Sequence, residues 1–402
     1  MRHGSPGGLA AVLSGGGARG AYEAGVLRYL AEHVASQLPD RDPIDAWCGT
    51  SAGALNAAWY AGHGLTPSAA RGLSELWRSM CINDIYRFDA KTFFTTPMKI
   101  FRSKAVGLDK SVLDGEGVRQ LVHANFPYEG IRDRIAAGEV QALVITATEV
   151  ATGRSVHFLQ SADQVSQVPE RLLGAEALRA TRLTPDHCLA SAAIPFVFPA
   201  VQLAGRWFVD GSLRQNTPLR PALYLGAERI LVIAVKRSFT ARAEKALARL
   251  ERQNANLVFL AGKTLNALML DPIEQDLYRV EGMNRLFEWG QATYGDDFMD
   301  RLNADLATDR PMPYRQVRTL LFRPQEDLGQ VAAQAMRTRP PDANRATRVL
   351  LGAVSDQDSE DADLLSYLLF DGAYTGELER LGWEDARDRA DELYAFLDDE
   401  VG

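Results

Sequence analysis

A serine, a glycine-rich turn and an aspartate in this chain have the types and spacing to act together on an acyl group. Gly49-Thr50-Ser51-Ala52-Gly53 matches GxSxG, which forms a nucleophile elbow when a strand runs in and a helix runs out. The backbone turns so sharply at such a serine that only small neighbours fit, so the hydroxyl rises clear of the sheet edge. A helix starting at Ala52 would aim its free N–H groups at the same spot. The competing reading is a packing turn whose serine only caps the helix. The buried strand expected at Ile44–Cys48 and the small-residue helix expected from Ala52 to Ala61 favour the nucleophile.

The second group is Gly15-Gly16-Gly17-Ala18-Arg19-Gly20, directly after the apolar run Leu9–Leu13. Such a turn lets backbone N–H groups approach an anion closely at a helix N-terminus. Gly15, Gly17 and Gly20 also fit GxGxxG, the phosphate turn of dinucleotide-binding oxidoreductases. That fold wants an acidic residue at the end of the second strand to hold ribose. Here the second strand ends in Gly49-Thr50-Ser51, and Asp40 and Asp42 precede it. An oxyanion hole is therefore the preferred reading, and the dinucleotide site the weaker one.

A serine hydroxyl needs a base. The six histidines are His3, His33, His63, His123, His157 and His187, and none follows His187. An α/β-hydrolase places its histidine last, after the acid, so a Ser-His-Asp site would have to use His187 with an acid upstream of it. Asp210-Gly211-Ser212 is the better candidate, because Asp210 ends a short strand, Arg206–Val209, and enters a glycine turn. A carboxylate in a partly desolvated site has a raised pKa and can accept the serine proton directly.

The elements that must position these groups alternate as in an α/β sheet. Strand, glycine-rich turn, helix with Val26, Leu30 and Val34 on one face, strand, sharp turn and helix follow one another to Gly64. Ala142–Glu149 and Ser155–Leu159 flank a hairpin turn, and Ile230–Val235 reads as a central strand covered on both faces. Beyond lie a largely helical stretch from Ala241 to Phe287, a last strand at Val317–Phe322, an acidic loop at Ser355–Asp363 and terminal helices from Leu364 to Leu397.

With 402 residues, 46% apolar and 24% charged, the chain can bury a sizeable core. A net charge of −8 argues against nucleic-acid binding. Cys48, Cys81 and Cys188 make neither a disulfide framework nor a CxxC metal site, and no clustered ligand set calls for a metal or an organic cofactor. No signal sequence or transmembrane run is evident, so a cytoplasmic protein is expected.

The motifs together resemble the patatin-like phospholipases. That family shows a GGGxRG-type turn, then GxSxG, then a small-residue segment ending in proline, then Asp-Gly-Gly or Asp-Gly-Ala. This chain has Gly15–Gly20, Gly49–Gly53, Ala190-Ser-Ala-Ala-Ile-Pro195 and Asp210–Ser212 in that order, with Ser212 departing from the usual Gly or Ala. The resemblance implies Ser51 as nucleophile, Asp210 as base and no histidine. It further implies backbone amides of Gly15, Gly16, Gly17, Ala18, Arg19 and Gly20 as the oxyanion hole, with Arg19 helping to hold that loop. Asn266–Asn284 and Asp363–Leu397, including Ser366-Tyr-Leu-Leu-Phe370, look like the C-terminal part of bacterial members and mark kinship rather than chemistry.

The expected fold is a three-layer α/β/α domain with a mostly parallel sheet, a helical cap and helical C-terminal additions. Residues 9–236 would form the catalytic core, with 85–127 as cap, and 237–402 a helical extension packed on it. The expected substrate is a lipid acyl ester, cleaved in phospholipase A or lysophospholipase fashion. Residues 85–110 hold Tyr86, Phe88, Phe93, Phe94 and Phe101 among six basic residues against two acidic ones, a net of +4. Such a patch suits peripheral contact with an anionic membrane; the preferred, plainer reading is a helical cover with its aromatics buried.

Overall fold

The computed structural model describes residues 8–37, 42–85, 115–162, 171–172, 175–179, 182–195, 197–236, 273–306, 313–343, 347 and 363–397. Among the described residues ten strands make one sheet: β1 Leu9–Leu13, β2 Ala46–Thr50, β3 Ala142–Glu149, β4 Ser155–Ser161, β5 Arg171–Leu172, β6 Ala175–Arg179, β7 Val201–Leu203, β8 Arg206–Asp210, β9 Arg229–Ile233 and β10 Arg318–Phe322. Their order is β10-β9-β1-β2-β3-β4-β6-β5, with β8 joining β3 and β7 joining β8. From β10 through β3 every neighbour runs parallel; β4 then returns antiparallel to β3.

The central strands are apolar on both faces because both faces are covered. Leu9, Ala11, Leu13, Trp47, Leu143, Ile145, Leu231 and Ile233 point into the larger core. The residues between them, Ala10, Val12, Ala46, Cys48, Val144, Ile230 and Val232, point into a smaller one on the other side. The larger core is roofed by α1 (Gly20–Tyr29), α2 (Ala52–His63), α3 (Pro67–Ser79) and the C-terminal helices. Leu219 and Ala222 of the Leu219–Tyr224 helix and Ile273 of the Ile273–Tyr294 helix close the smaller one. The result is a mostly parallel α/β/α sandwich, with one thick and one thin helical layer among the described residues.

Two details differ from the sequence pattern. β2 begins two residues later than the apolar run and continues to Thr50, since Asp45 is engaged in fastening β1. Its carboxylate accepts the Leu9 N–H at 2.9 Å, and its own N–H donates to Leu9 O. The first helix does not stay α-helical; after Tyr29 it widens into a π turn at Leu30–Val34 and tightens into a 3-10 turn at Ala35–Gln37.

Of the expected cap, the Glu116–Asn125 helix is described, with Gly117 against the Asp84 carbonyl; 86–114, with the aromatic and basic residues, lie outside the described residues. The same holds for 241–272 of the expected helical stretch and 355–362 of the acidic loop. The late strand, β10, lies beside β9 in the same sheet. The Gly372–Asp388 and Ala390–Leu397 helices add Tyr374, Leu378 and Leu393 to the larger core. No helix among the described residues is long and apolar enough to cross a membrane.

Candidate active site

Sheet register brings Ser51 and Asp210 together. β2 pairs with β3 as far as Thr50 opposite Thr146. β8 pairs with the continuation of β3 from the opposite direction, and its last residue, Asp210, stands opposite Ala147. Two strands thus approach head-on along β3 and end at adjacent rungs. Ser51 follows the end of one, and Asp210 closes the other. The Ser51 hydroxyl donates to Asp210 Oδ2 at 2.8 Å, with both residues buried.

Ser51 has φ 52°, ψ −122°, a left-handed conformation that costs a non-glycine residue about 1–3 kcal/mol. Three features hold it there. The Ser51 N–H donates to Ser191 Oγ at 2.8 Å, and the Ser191 hydroxyl donates to Thr146 O at 2.6 Å. α2 starts at once, with the Ala54 N–H donating to Ser51 O. At Gly53 the elbow presses against the end of β1, where a side chain would meet the Leu13 and Ser14 carbonyls. Ser191 lies in the small-residue segment before Pro195; its role as acceptor for the Ser51 amide has no local signature in the sequence.

Burial pushes the Asp210 carboxyl up to about 6, while the Ser212 amide and hydroxyl and the Ser51 hydroxyl pull the other way. The Ser212 N–H donates to Asp210 Oδ1 at 2.8 Å. The Ser212 hydroxyl lies near enough to contribute, yet makes no hydrogen bond of ordinary geometry. The Asp210 backbone is fixed by its N–H to Ala193 O (2.9 Å) and by the Thr148 hydroxyl to its carbonyl (3.0 Å).

The glycine turn lies beside this pair because β1 is the parallel neighbour of β2, Leu13 standing opposite Gly49. A side chain built on Gly15 would run into Ser212 Oγ and approach Ser51 Cβ to 3.2 Å. Not all six residues of the turn have an amide to spare. The Gly15 N–H donates to Asn216 O, Arg19 to Gly16 O, and Gly20 to Ala18 O and Gly17 O. Among the described residues no acceptor is found for the Gly16, Gly17 and Ala18 amides. Beneath the turn, buried Glu23 accepts from Ser14 Oγ (3.3 Å) and Asn56 Nδ2 (2.9 Å), and burial holds its pKa well above the usual carboxylate range.

His187 is occupied elsewhere. Its Nδ1 accepts the Thr184 N–H at 3.0 Å, so the ring caps its own helix, Pro185–Ser191, and no hydrogen bond joins it to Ser51. His157, wholly buried, bonds Thr146 Oγ1 through Nδ1 at 3.0 Å, and burial takes its pKa down to about 3. Among the described residues no three His, Cys, Asp or Glu side chains are grouped to hold a metal, and all three cysteines are free.

The family model for patatin-like phospholipases matches residues 11–223, more than half of the chain and all the residues of this site from the glycine turn to Asp210. The chain belongs to the patatin-like phospholipase family. Solved structures similar to it include VipD from Legionella pneumophila, 12% identical over 92% of each chain (TM-score 0.32). Human GIVD cytosolic phospholipase A2 is 10% identical over 97% of this chain and 60% of its own (TM-score 0.44). ExoU, in its complex with SpcU from Pseudomonas aeruginosa, is 16% identical over 90% and 74% (TM-score 0.28). No curated protein matches. As a patatin-like phospholipase the chain is a lipid hydrolase by family.

Proposed function

We propose that this chain is a serine lipid acyl hydrolase that works through a Ser51–Asp210 dyad and an acyl-enzyme, with no histidine and no cofactor. The observation that carries this reading is the 2.8 Å hydrogen bond from the Ser51 hydroxyl, on a left-handed elbow, to a buried carboxylate. Asp210 takes the hydroxyl proton on Oδ2 as Ser51 Oγ attacks the ester carbonyl carbon. The negative charge that develops on the carbonyl oxygen meets the Gly16, Gly17 and Ala18 amides, preorganised donors that need no rearrangement during the reaction. Collapse of the tetrahedral species breaks the bond to the alcohol, which leaves with the proton held by Asp210. Water then attacks the acyl-Ser51 carbonyl, giving its proton to Asp210, and the second collapse returns that proton to Ser51 Oγ and frees the fatty acid.

Substrate class follows from the family and from the site's chemistry: carboxylic esters of lipids, phospholipids or lysophospholipids among them. A pKa of about 6 suits Asp210 to this role, being ionised at neutral pH yet basic enough to share a proton. Hydrolysis of a p-nitrophenyl ester and of phosphatidylcholine vesicles by wild type, Ser51→Ala and Asp210→Asn tests the reading. Each substitution is expected to lower kcat by roughly 10⁴-fold, the scale on which catalytic units fail, with the melting transition retained. Near-wild-type turnover by folded Asp210→Asn would remove Asp210 as the base.

A further inference from the structure

The glycine turn that the proposed reaction needs is fastened from the far end of the chain. Arg19, buried at 3% exposure, donates from Nε to Ser366 Oγ at 2.8 Å, and Ser366 is itself fully buried. The Arg19 guanidinium lies 4.1 Å from the centre of the Tyr367 ring, a cation–π distance. Gly17, at φ 55°, faces the Tyr367 backbone so closely that a side chain there would strike its carbonyl oxygen. Two residues of the Asp363–Leu368 helix therefore contact the turn whose amides are unspent at its middle residue, Gly17, and at the residue that follows it, Arg19.

That helix is anchored in its turn. The Tyr374 hydroxyl reaches Ser366 O (3.4 Å) as well as Leu328 O (3.2 Å), and just beyond the helix Phe370 stacks on Trp77 at 6.4 Å. The following Gly372–Asp388 helix locks onto α1, where backbones approach at Gly25 and Gly382. Tyr22 Oη donates to Asp385 Oδ2 at 2.8 Å, and Arg28 pairs with Glu379 at 2.9 Å. Ser366 and Tyr367 lie outside residues 11–223.

We propose that Ser366 and Tyr367 are positioning residues for the oxyanion turn, acting through Arg19, so that the working catalytic unit extends to the C-terminal helices. The structural half of this claim stands on the contacts alone; its catalytic half rests on the Ser51–Asp210 reading. Buried Arg19 is a poor place for lysine, because an ammonium has neither the Nε donor geometry nor the flat cation that covers the Tyr367 ring.

The test compares wild type with Ser366→Ala, Tyr367→Phe, Tyr367→Leu and Arg19→Lys in the full chain, each checked for a wild-type-like melt. Amide exchange by mass spectrometry, read on peptides spanning 14–22 and 46–56, reports turn and elbow separately. In Tyr367→Leu and Arg19→Lys the turn is expected to exchange at least about tenfold faster while the elbow is unchanged, and Tyr367→Phe, which keeps the ring, to match wild type. On the p-nitrophenyl ester, kcat should drop about 10- to 100-fold with KM within about twofold, a loss of transition-state rather than substrate binding.

Should Tyr367→Leu fail to fold, Ser366→Ala, which removes one hydroxyl, carries the test with a smaller loss of about three- to tenfold. Unchanged exchange in the turn overturns the clamp, and faster exchange with unchanged kcat overturns its catalytic role. An inactive wild type with the exchange pattern as expected would sink the Ser51–Asp210 reading and leave the clamp standing.

Discussion

The Ser51 elbow and the glycine turn lie side by side at the ends of β2 and β1, yet they are held in different ways. The elbow draws on elements within the family-matched region: Ser191 takes its amide, β3 supplies the rungs and β8 delivers Asp210. The glycine turn draws on Ser366 and Tyr367, and Arg19 reaches its serine partner across 347 positions of sequence. A strained serine is held by its immediate surroundings, because a left-handed backbone tolerates little slack. Unspent amides need only be kept from closing on themselves, and that can be done by a distant element. The two halves of one site can therefore fail separately.

Ser191→Ala probes the elbow half and should match the largest effect of any change that leaves Ser51 and Asp210 in place. It strands the buried Ser51 amide, at a cost of about 1–3 kcal/mol of stability. It should also lower kcat about 10- to 100-fold, measured on the p-nitrophenyl ester, without speeding exchange in the turn. An equal effect on turn and elbow would erase the distinction between them.

The pH profile of kcat/KM should show an acid limb near 6, activity falling about tenfold per pH unit below it as Asp210 takes up a proton. The clamp variants should keep that limb, since they act on the turn and not on the base. A limb displaced in Tyr367→Leu would mean that the two halves share their electrostatics.

The smallest effect concerns stability. Because burial raises the folded-state pKa of Asp210 from the ordinary 3.8 to about 6, the folded chain favours its protonated form. Its contribution to stability is lost as pH rises through that interval and stays lost above it, on the order of 3 kcal/mol. Folded Asp210→Asn should therefore melt at or above wild type at pH 8, the advantage vanishing near pH 4. A lower melting temperature at pH 8 would mean that the carboxylate's hydrogen bonds outweigh its desolvation.

Much of this was legible in the sequence for a physical reason. Ser51 and the glycine turn announce themselves locally, because sharp turns demand small residues at fixed spacing. The parallel sheet is written in the doubly buried runs of β1 and β9. Asp210 is a weaker signal; an Asp-Gly turn is common, and it gained weight from the absence of any histidine after His187 and from the order of the four motifs. Ser191 was visible only as part of a small-residue segment, since its bond to the Ser51 amide joins residues 140 positions apart. In the sequence Ser366 and Tyr367 mark kinship alone. Nothing periodic connects them to Arg19; tertiary packing, including that of the Gly372–Asp388 helix along α1, brings them there. The narrowing of six candidate amides to Gly16, Gly17 and Ala18 likewise needed the hydrogen bonds of the turn.

The most direct test of the central claim is covalent labelling with a fluorophosphonate, read by intact mass and by the modified peptide, on wild type, Ser51→Ala and Asp210→Asn. Wild type is expected to gain one adduct on Ser51, and both folded variants none over the same period. An adduct on another residue, or Asp210→Asn labelling at the wild-type rate, would contradict an activated Ser51 whose base is Asp210.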